Sequence, residues 1–322
     1  MHITRDLVAK LAKVSSATVS RVFNSPETVS PPLREAVLQA SQELGYIPNK
    51  TAGMLRRKGT GVIAFVELEK VGRPYYWGNL ESFDWFFGRS IRGVQEAIKD
   101  TSWQLRFYKI RTKIELQTLE RHCDGILAYD VDTEEEVSLF RDLTVPYVLS
   151  HHLSKETTSS VVVTDNYYGG ILQAQFLKSQ GCTSPLYITG YLDSVIPHQQ
   201  RLQGFLSQFP DTHVLETWIG KPDAIREIFE MVAKMIQEEV IDSLAAVNDL
   251  TLFELLLKSR SVLPSVGYDA SPFYRLFSGP LASVDIQSGE IYKRATNELL
   301  LLIGGAEPEP KVVLPKLSEL WL

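Results

Sequence analysis

Six polar residues and one aromatic carry the chemistry most worth following in this chain: Asp84, Asp130, Arg201, Asn248, Asp249 and Asp269, with Phe86. All but Arg201 fall just past the carboxyl end of an apolar run that reads as a strand, which is where open α/β sheets bind ligands. Arg201 falls at the N-terminal end of a helix. Asp and Asn accept paired hydrogen bonds from sugar hydroxyls, and an aromatic ring covers the apolar face of a sugar or stacks on a base. The residue types favour a carbohydrate as the bound molecule. The parts for making or breaking a bond are absent: there is no G-x-x-x-x-G-K-[ST], H-E-x-x-H or G-x-S-x-G, and no G-x-G-x-x-G after a strand. The adjacent pair His151-His152 would point its rings to opposite faces of a strand, so a shared metal or base role is not expected. Cys123 and Cys182 have no metal-type spacing and read as reduced packing thiols. No enzyme activity, metal or cofactor is expected. Plainer readings compete at single positions: Asp249 as a helix cap, Asp269 as a strand terminator, Trp77, Trp85 and Phe87 as core.

A second constellation stands near the start, in "ATVSRVFNSPETVSP" (17–31). The elements that present it are short helices. "TRDLVAKLA" places Leu7, Val8, Leu11 and Ala12 on one face, Ser15 can cap a second helix to about Asn24, and Ser30-Pro31 starts a third that ends at Leu44-Gly45. Only Lys13-Val14 separates the first two, so they cross steeply and leave the outer face of the second free to enter a DNA major groove. That face carries Ser16, Ala17, Ser20 and Arg21. The expected core is Val8, Leu11, Ala12, Val14, Val19, Val22, Phe23, Val37, Leu38 and Leu44. Beyond Tyr46-Ile47-Pro48, Asn49, Ala52 and Leu55 share a face of a possible short helix, marginal in water and weakened by Gly53. Residues 1–60 hold nine Lys/Arg against four acids, a net +5 in a chain of net charge -6. A small basic head on an acidic body suits an approach to a polyanion by the head alone.

From Gly61 onward, strand candidates ("GVIAFVEL", "QLRFYKI", "DGILAYD", "VPYVLSH", "SVVVTD", "PLYITGY", "SLAAVND", "PSVGYD") alternate with helix candidates at 88–100, 115–121, 134–142, 167–180, 198–208, 224–237, 250–258 and 288–303. Such alternation implies parallel sheets covered on both faces. One series ends near Ser159-Ser160 and another begins, which gives two similar lobes with a cleft between them. The organisation expected is a DNA-binding head at 1–46, a hinge and linker at 47–60, and a core at 61–322, with one lobe about 61–160 and 288–312 and the other about 161–287 and 313–322. The longest apolar stretch, 299–303, is far short of a membrane span and "MHITRD" is no signal core, so a cytoplasmic location is expected.

The stretch from Val8 to Val66, "VAKLAKVSSATVSRVFNSPETVSPPLREAVLQASQELGYIPNKTAGMLRRKGTGVIAFV", resembles the lactose-repressor/galactose-repressor family of bacterial transcription regulators. The likeness continues in order through "FFGRSIRGVQEA", "DGILAYD", "VVVTDNYYGG", "RLQGF", "AAVNDL" and "SVGYD". The resemblance implies a helix-turn-helix head, a hinge helix and a two-lobed, periplasmic-binding-protein-like core that dimerises and binds a small effector. Carried over by position, Ser16, Ala17 and Arg21 face the major groove, Ser15, Thr18 and Asn24 contact phosphates, and Asn49, Ala52 and Leu55 match hinge positions. Leu55 is then the wedge that kinks the operator centre. Arg201 matches the arginine that fixes a ligand hydroxyl or carboxylate. The implied partners are operator duplex, a sugar-like effector and a second copy of the chain, with no membrane. Two head positions depart from the family pattern: Lys13 stands where Gly is usual in the turn, and Leu7 where an acid is usual. The ten or so extra residues in "GRPYYWGNLESFDW" bear on pocket shape. The rival reading, a solute-binding protein of a transport system, shares the core but requires export and has no use for the basic head.

Overall fold

The computed structural model describes residues 4–24, 26–44, 46, 59–69, 84–150, 160–190, 192–193, 195–217, 224–277 and 279–319. The chain forms two compact units, 1–59 and 60–322.

The first unit is built on α1 (Arg5–Leu11), α2 (Ser16–Asn24) and α3 (Pro31–Leu44). Val8, Ala9, Val19, Val22, Val37 and Ala40 are buried at its centre, ringed by Ala12, Val14, Phe23, Val29, Leu44 and Tyr46. Leu11 and Leu38, expected in this core, are exposed. The buried stripe of α3 runs through Val37, Ala40 and Ser41 towards Leu44, and Leu38 sits about 100° away from Val37 around the helix. Lys13 adopts φ 53°, so the α1–α2 turn is left-handed despite its non-glycine residue. That costs about 1 kcal/mol and does not prevent the turn.

The second unit holds two six-stranded sheets. The first comprises β1 (Val62–Leu68), β2 (Gln104–Ile110), β3 (Gly125–Tyr129), β4 (Tyr147–Ser150), β5 (Ser160–Thr164) and β11 (Lys311–Val313), in the order β11-β5-β4-β3-β1-β2. The second comprises β6 (Pro185–Thr189), β7 (His213–Glu216), β8 (Ser243–Ala246), β9 (Ser265–Tyr268), β10 (Leu281–Asp285) and β12 (Lys316–Glu319), in the order β12-β10-β9-β8-β6-β7. All pairings are parallel except β10 with β12. Parallel strands covered on both faces need apolar residues at every position. In β1, Val62, Ala64, Val66 and Leu68 enter one core while Ile63 and Phe65 enter the other.

The sheets repeat one topology: strand 1 lies between strands 2 and 3, which creates a switch point at the carboxyl ends of β1/β3 and again of β6/β8. Between the strands run α4 (Asp84–Ile98), α5 (Lys113–Leu119), α6 (Glu134–Ser138), α7 (Asn166–Ser179), α8 (Ile196–Leu206), α9 (Ala224–Gln237), α10 (Asp249–Ser259) and α11 (Ser288–Ile303). Helix α4 begins four residues before its expected start.

The chain passes to the second lobe later than the Ser159-Ser160 boundary suggested. β5 pairs with β4 and β11 in the first sheet, so the passage follows Thr164. The apolar run Val161-Val162-Val163 satisfies its backbone there, beside Val148–Ser150. Four strands escaped the pattern reading: β7, β10, β11 and β12. Three are three or four residues long, and all four lie at or next to a sheet edge, so they carry little of the apolar pattern. Both cysteines are buried and unpaired, and burial pushes the Cys123 thiol up to about 11. Among the described residues no helix is long and apolar enough to cross a membrane, and no cluster of His, Cys, Asp or Glu could hold a metal ion.

Candidate functional site: a recognition helix and a two-lobed cleft

Ser15 sits immediately before α2, and its hydroxyl oxygen accepts the Thr18 backbone N–H at 3.0 Å, the bond that closes a helix N-terminus. The Ser15 and Thr18 hydroxyls lie 2.9 Å apart. The Ser16 hydroxyl donates to the Asp6 carboxylate and so ties the start of α2 to α1. Ala17 and Arg21 are exposed on the outer face of α2. Asn24 ends the helix. The hinge positions Asn49, Ala52 and Leu55 lie outside the described residues.

In the second lobe the apolar edge of β8 and β9 gives way to a buried polar cluster around Arg201, which is 5% exposed. Its Nε donates to the Asn166 amide oxygen at 2.9 Å and one terminal nitrogen donates to the Val247 carbonyl at 2.8 Å. The Asp269 carboxylate lies 3.8 Å from the guanidinium, and the Tyr268 ring lies beneath it, 3.8 Å from the ring centre. Close helix packing sets this position. A Cβ on Gly170 of α7 would stand 2.0 Å from the Arg201 carbonyl, and one on Gly204 of α8 would stand 1.9 Å from that of Tyr167. Glycine at both crossings lets α8 lie directly on α7.

Asn248 and Asp249 separate in role. Asn248 is the N-cap of α10, its amide oxygen accepting both the Thr251 N–H and hydroxyl at 2.9 Å. The capping role considered for Asp249 thus belongs to its neighbour. Asp249 is 2% exposed; one oxygen accepts the Ser283 hydroxyl at 2.7 Å and the other the Ser271 N–H at 2.6 Å. Burial holds its carboxyl well above the ordinary value of 3.8, against the lowering effect of Ser283. Ser283 in turn accepts the Ala270 N–H at 2.9 Å. This chain of bonds braces Asp269 (φ 90°) and Ala270 (φ 51°), two residues in the left-handed region. Asp249 therefore holds the loop that carries Asp269, and its own oxygens are taken by the protein.

The first lobe supplies an aromatic wall. Phe86 is buried among Trp85, Tyr129 and the other rings of the core, and the Tyr129 ring centre lies 5.4 to 5.5 Å from those of Phe65, Phe87 and Tyr292, edge-on to Phe87 and tilted to the other two. Trp85 and Phe87 are likewise partly buried against this core. Asp84 is the first residue of α4. Asp130 takes φ 55° after β3, with its N–H donated to the Tyr292 hydroxyl at 3.1 Å. Trp77 and residues 72–83 of the extra segment lie outside the described residues, as do His151 and His152.

Among the described residues the lobes meet here where the Ile196 N–H reaches the Asp132 carbonyl at 3.4 Å and where Arg89 of α4 reaches the Asp269 carbonyl at 3.5 Å while lying over the Trp85 ring. Of the residues singled out from sequence, Arg201, Asn248, Asp249 and Asp269 come together at the carboxyl ends of the second sheet. Asp84, Phe86 and Asp130 belong to the first-lobe side. Asn166 and Arg89 were missed. Asn166 directly follows the Asp165 cap and reads as an ordinary first-turn residue, and Arg89 is one arginine among several polar residues on a helix.

Residues 6–49 match the model of bacterial regulatory proteins of the lacI family. The HTH-type transcriptional regulator CelR of Thermobifida fusca is 29% identical over 95% of this chain and 94% of its own. The HTH-type transcriptional repressor PurR of Actinobacillus pleuropneumoniae is 26% identical over 91% of this chain and 89% of its own. The solved transcriptional regulator CelR–cellobiose complex is 28% identical and superposes with a TM-score of 0.65, covering 98% of both chains. A head that matches the lacI family model over residues 6–49, followed by a core similar along its length to that of CelR, makes this chain similar throughout to the LacI-type bacterial DNA-binding transcriptional regulators.

Proposed function

We propose that this regulator is an operator-specific repressor whose DNA affinity is set by a sugar-like effector held between the lobes of its core. The observation that carries the effector half is the buried Arg201–Asp269–Asn166 cluster at the carboxyl ends of the second sheet, tied to the first lobe where Arg89, lying over the Trp85 ring, reaches the Asp269 carbonyl. A planar guanidinium fixed by three partners is a rigid fork for adjacent hydroxyls, and a carboxylate beside it accepts from them. Arg201, Asp269, Asn248, Asp130 and Asp84 are the proposed ligand contacts; Phe86 and Asp249 act behind them. A relative solved as a cellobiose complex favours an oligosaccharide.

On the DNA side, Ser16, Ala17 and Arg21 read the major groove, Ser15, Thr18 and Asn24 hold phosphates, and Asn49, Ala52 and Leu55 form the hinge contact. The proposed division remains head 1–46, hinge and linker 47–60, core 61–322, in a homodimer acting in the cytoplasm. Effector and operator need share only about 1–3 kcal/mol of coupling, roughly 5- to 150-fold in affinity, to work as a switch. The deciding experiment is calorimetry of the full chain against cellobiose, monosaccharides, sugar phosphates and nucleobases. Saturable binding of one sugar class, with a change in operator affinity at saturation, is the expected result; binding of a nucleobase alone would replace the sugar assignment.

A further inference from the structure

The first lobe begins at a clamp. Asp124, the residue before β3, accepts the Thr60 N–H at 2.7 Å through one carboxylate oxygen and the Gly61 N–H through the other. Its own N–H reaches the Val62 carbonyl at 2.8 Å. Two further bonds lock the same residues: Gln104 N–H to the Gly61 carbonyl at 2.9 Å, and Val62 N–H to the Thr60 hydroxyl at 3.2 Å. Gly61 takes φ 71°, a conformation that suits glycine. Thr60 and Gly61 stand where the linker meets the core, so whatever the core transmits along the chain to the head passes through them.

The second lobe holds a copy of this device in the equivalent place. Asp242, the residue before β8, accepts the Thr183 N–H at 2.6 Å and the Ser184 N–H at 3.1 Å, and its own N–H reaches the Ser184 carbonyl at 3.0 Å. β3 and β8 each lie beside the first strand of their sheet. The second clamp differs in that both N–H groups share one carboxylate oxygen, and it differs in the chain attached. Thr183 follows Cys182, whose N–H is bonded to Leu177 at the end of α7 at 3.1 Å, so the second clamp closes a turn already anchored in its own lobe. The first clamp holds the root of the linker to the head.

We infer that Asp124 is a positioning residue for DNA binding: by fixing the linker root to β3, it makes movement of the first lobe arrive at the head instead of being absorbed at residues 60–61. Coupling between sites needs an element with defined arrangements that both sites bias, and a frayed root has none. Two charge-assisted bonds to adjacent N–H groups hold the root far more firmly than one neutral bond. An asparagine at 124 can accept at its oxygen but presents an NH₂ to the second donor, so one N–H loses its partner.

The test uses the full chain, Asp124→Asn and Asp242→Asn, with a duplex selected by the wild-type protein from a random-sequence library and a non-selected duplex of equal length. Expected for Asp124→Asn is binding to the selected duplex weakened about tenfold, the size of one such bond, with non-selected binding unchanged and faster hydrogen exchange at Thr60–Val62. Asp242→Asn, whose amide oxygen can still accept both the Thr183 and Ser184 N–H groups, binds the selected duplex as the wild type does. Should Asp124→Asn fold poorly, Thr60→Pro removes one N–H of the same clamp, together with the hydroxyl that accepts the Val62 N–H, and must give the same split between selected and non-selected DNA. Wild-type affinity in the first-lobe variant, or an equal loss in both lobes, overturns the assignment and leaves Asp124 an ordinary strand-edge brace.

Discussion

Arg201 is held so completely by protein that its replacement tests two things at once. Truncation to alanine would remove the guanidinium beside the buried Asp269 carboxylate, and removing one partner of a buried pair costs about 3–5 kcal/mol. Arg201→Lys keeps the charge but cannot reach Asn166, Val247 and Asp269 together. It is expected to lower the melting temperature modestly and to weaken the sugar found by calorimetry about tenfold or more; unchanged sugar affinity would remove Arg201 from the site. Asp249 yields a pH prediction. Its folded-state pKa is raised above 3.8, so the folded chain keeps a proton that the unfolded chain releases. The contribution of Asp249 to stability is therefore greatest at or below that ordinary value and falls as pH rises towards the raised one, with a slope of at most about 1.4 kcal/mol per pH unit. Denaturant unfolding of wild type and Asp249→Asn at pH 5 and pH 8 should show the wild type losing ground to the variant at the higher pH. A pH-independent difference would place the carboxyl in its ordinary range.

Helix ends and helix crossings decide how well these residues are aimed. Ser15 caps α2, the proposed recognition helix, and Ser15→Ala is expected to cost the head about 1 kcal/mol, measured by thermal unfolding, before any phosphate contact is counted. At the α7–α8 crossing, Gly170→Ala puts a methyl carbon into the Arg201 backbone carbonyl and must push α8 away. The expected outcome is a destabilised second lobe, by roughly 1–3 kcal/mol for an overpacked contact, together with weaker effector binding, because Arg201 rides on the displaced helix. Melting curves and calorimetry on this one variant read both effects. A stable protein that still binds its effector would mean that the crossing tolerates more than the contact distance allows.

The whole molecule divides its charge as it divides its work. A basic head followed by an acidic core concentrates attraction to phosphates in the head, where the proposed recognition helix lies. Affinity for the selected duplex is expected to fall steeply and linearly on a log–log plot as salt rises, since each neutralised phosphate releases counterions. Replacing Leu55 by Ala should leave that slope unchanged while lowering selected-site binding far more than non-selected binding, as expected of a wedge that acts only on a kinked centre. A uniform loss would assign Leu55 to packing.

The head was legible almost entirely from sequence, because its signals are local. A cap at Ser15, a start at Ser30-Pro31, a two-residue spacer and a helical apolar stripe each act within a few residues of where they are written. The alternation of strands and helices likewise announced two parallel sheets, and the family likeness of the head named the class of protein. Tertiary structure decided the rest. No local pattern tells that β5 pairs in the first sheet, that edge strands as short as β11 and β12 complete the two sheets, or that Asn248 caps a helix while Asp249 braces a loop one strand away. Adjacent residues with similar side chains took different roles because one amide oxygen lies over the first turn of α10 and one carboxylate lies between Ser283 and Ser271, positions fixed by residues 22 and 34 places further along the chain. Arg201 was found by its match, yet its partners Asn166, Val247 and Asp269 are distant in sequence and meet only when the second sheet and α7 close around it.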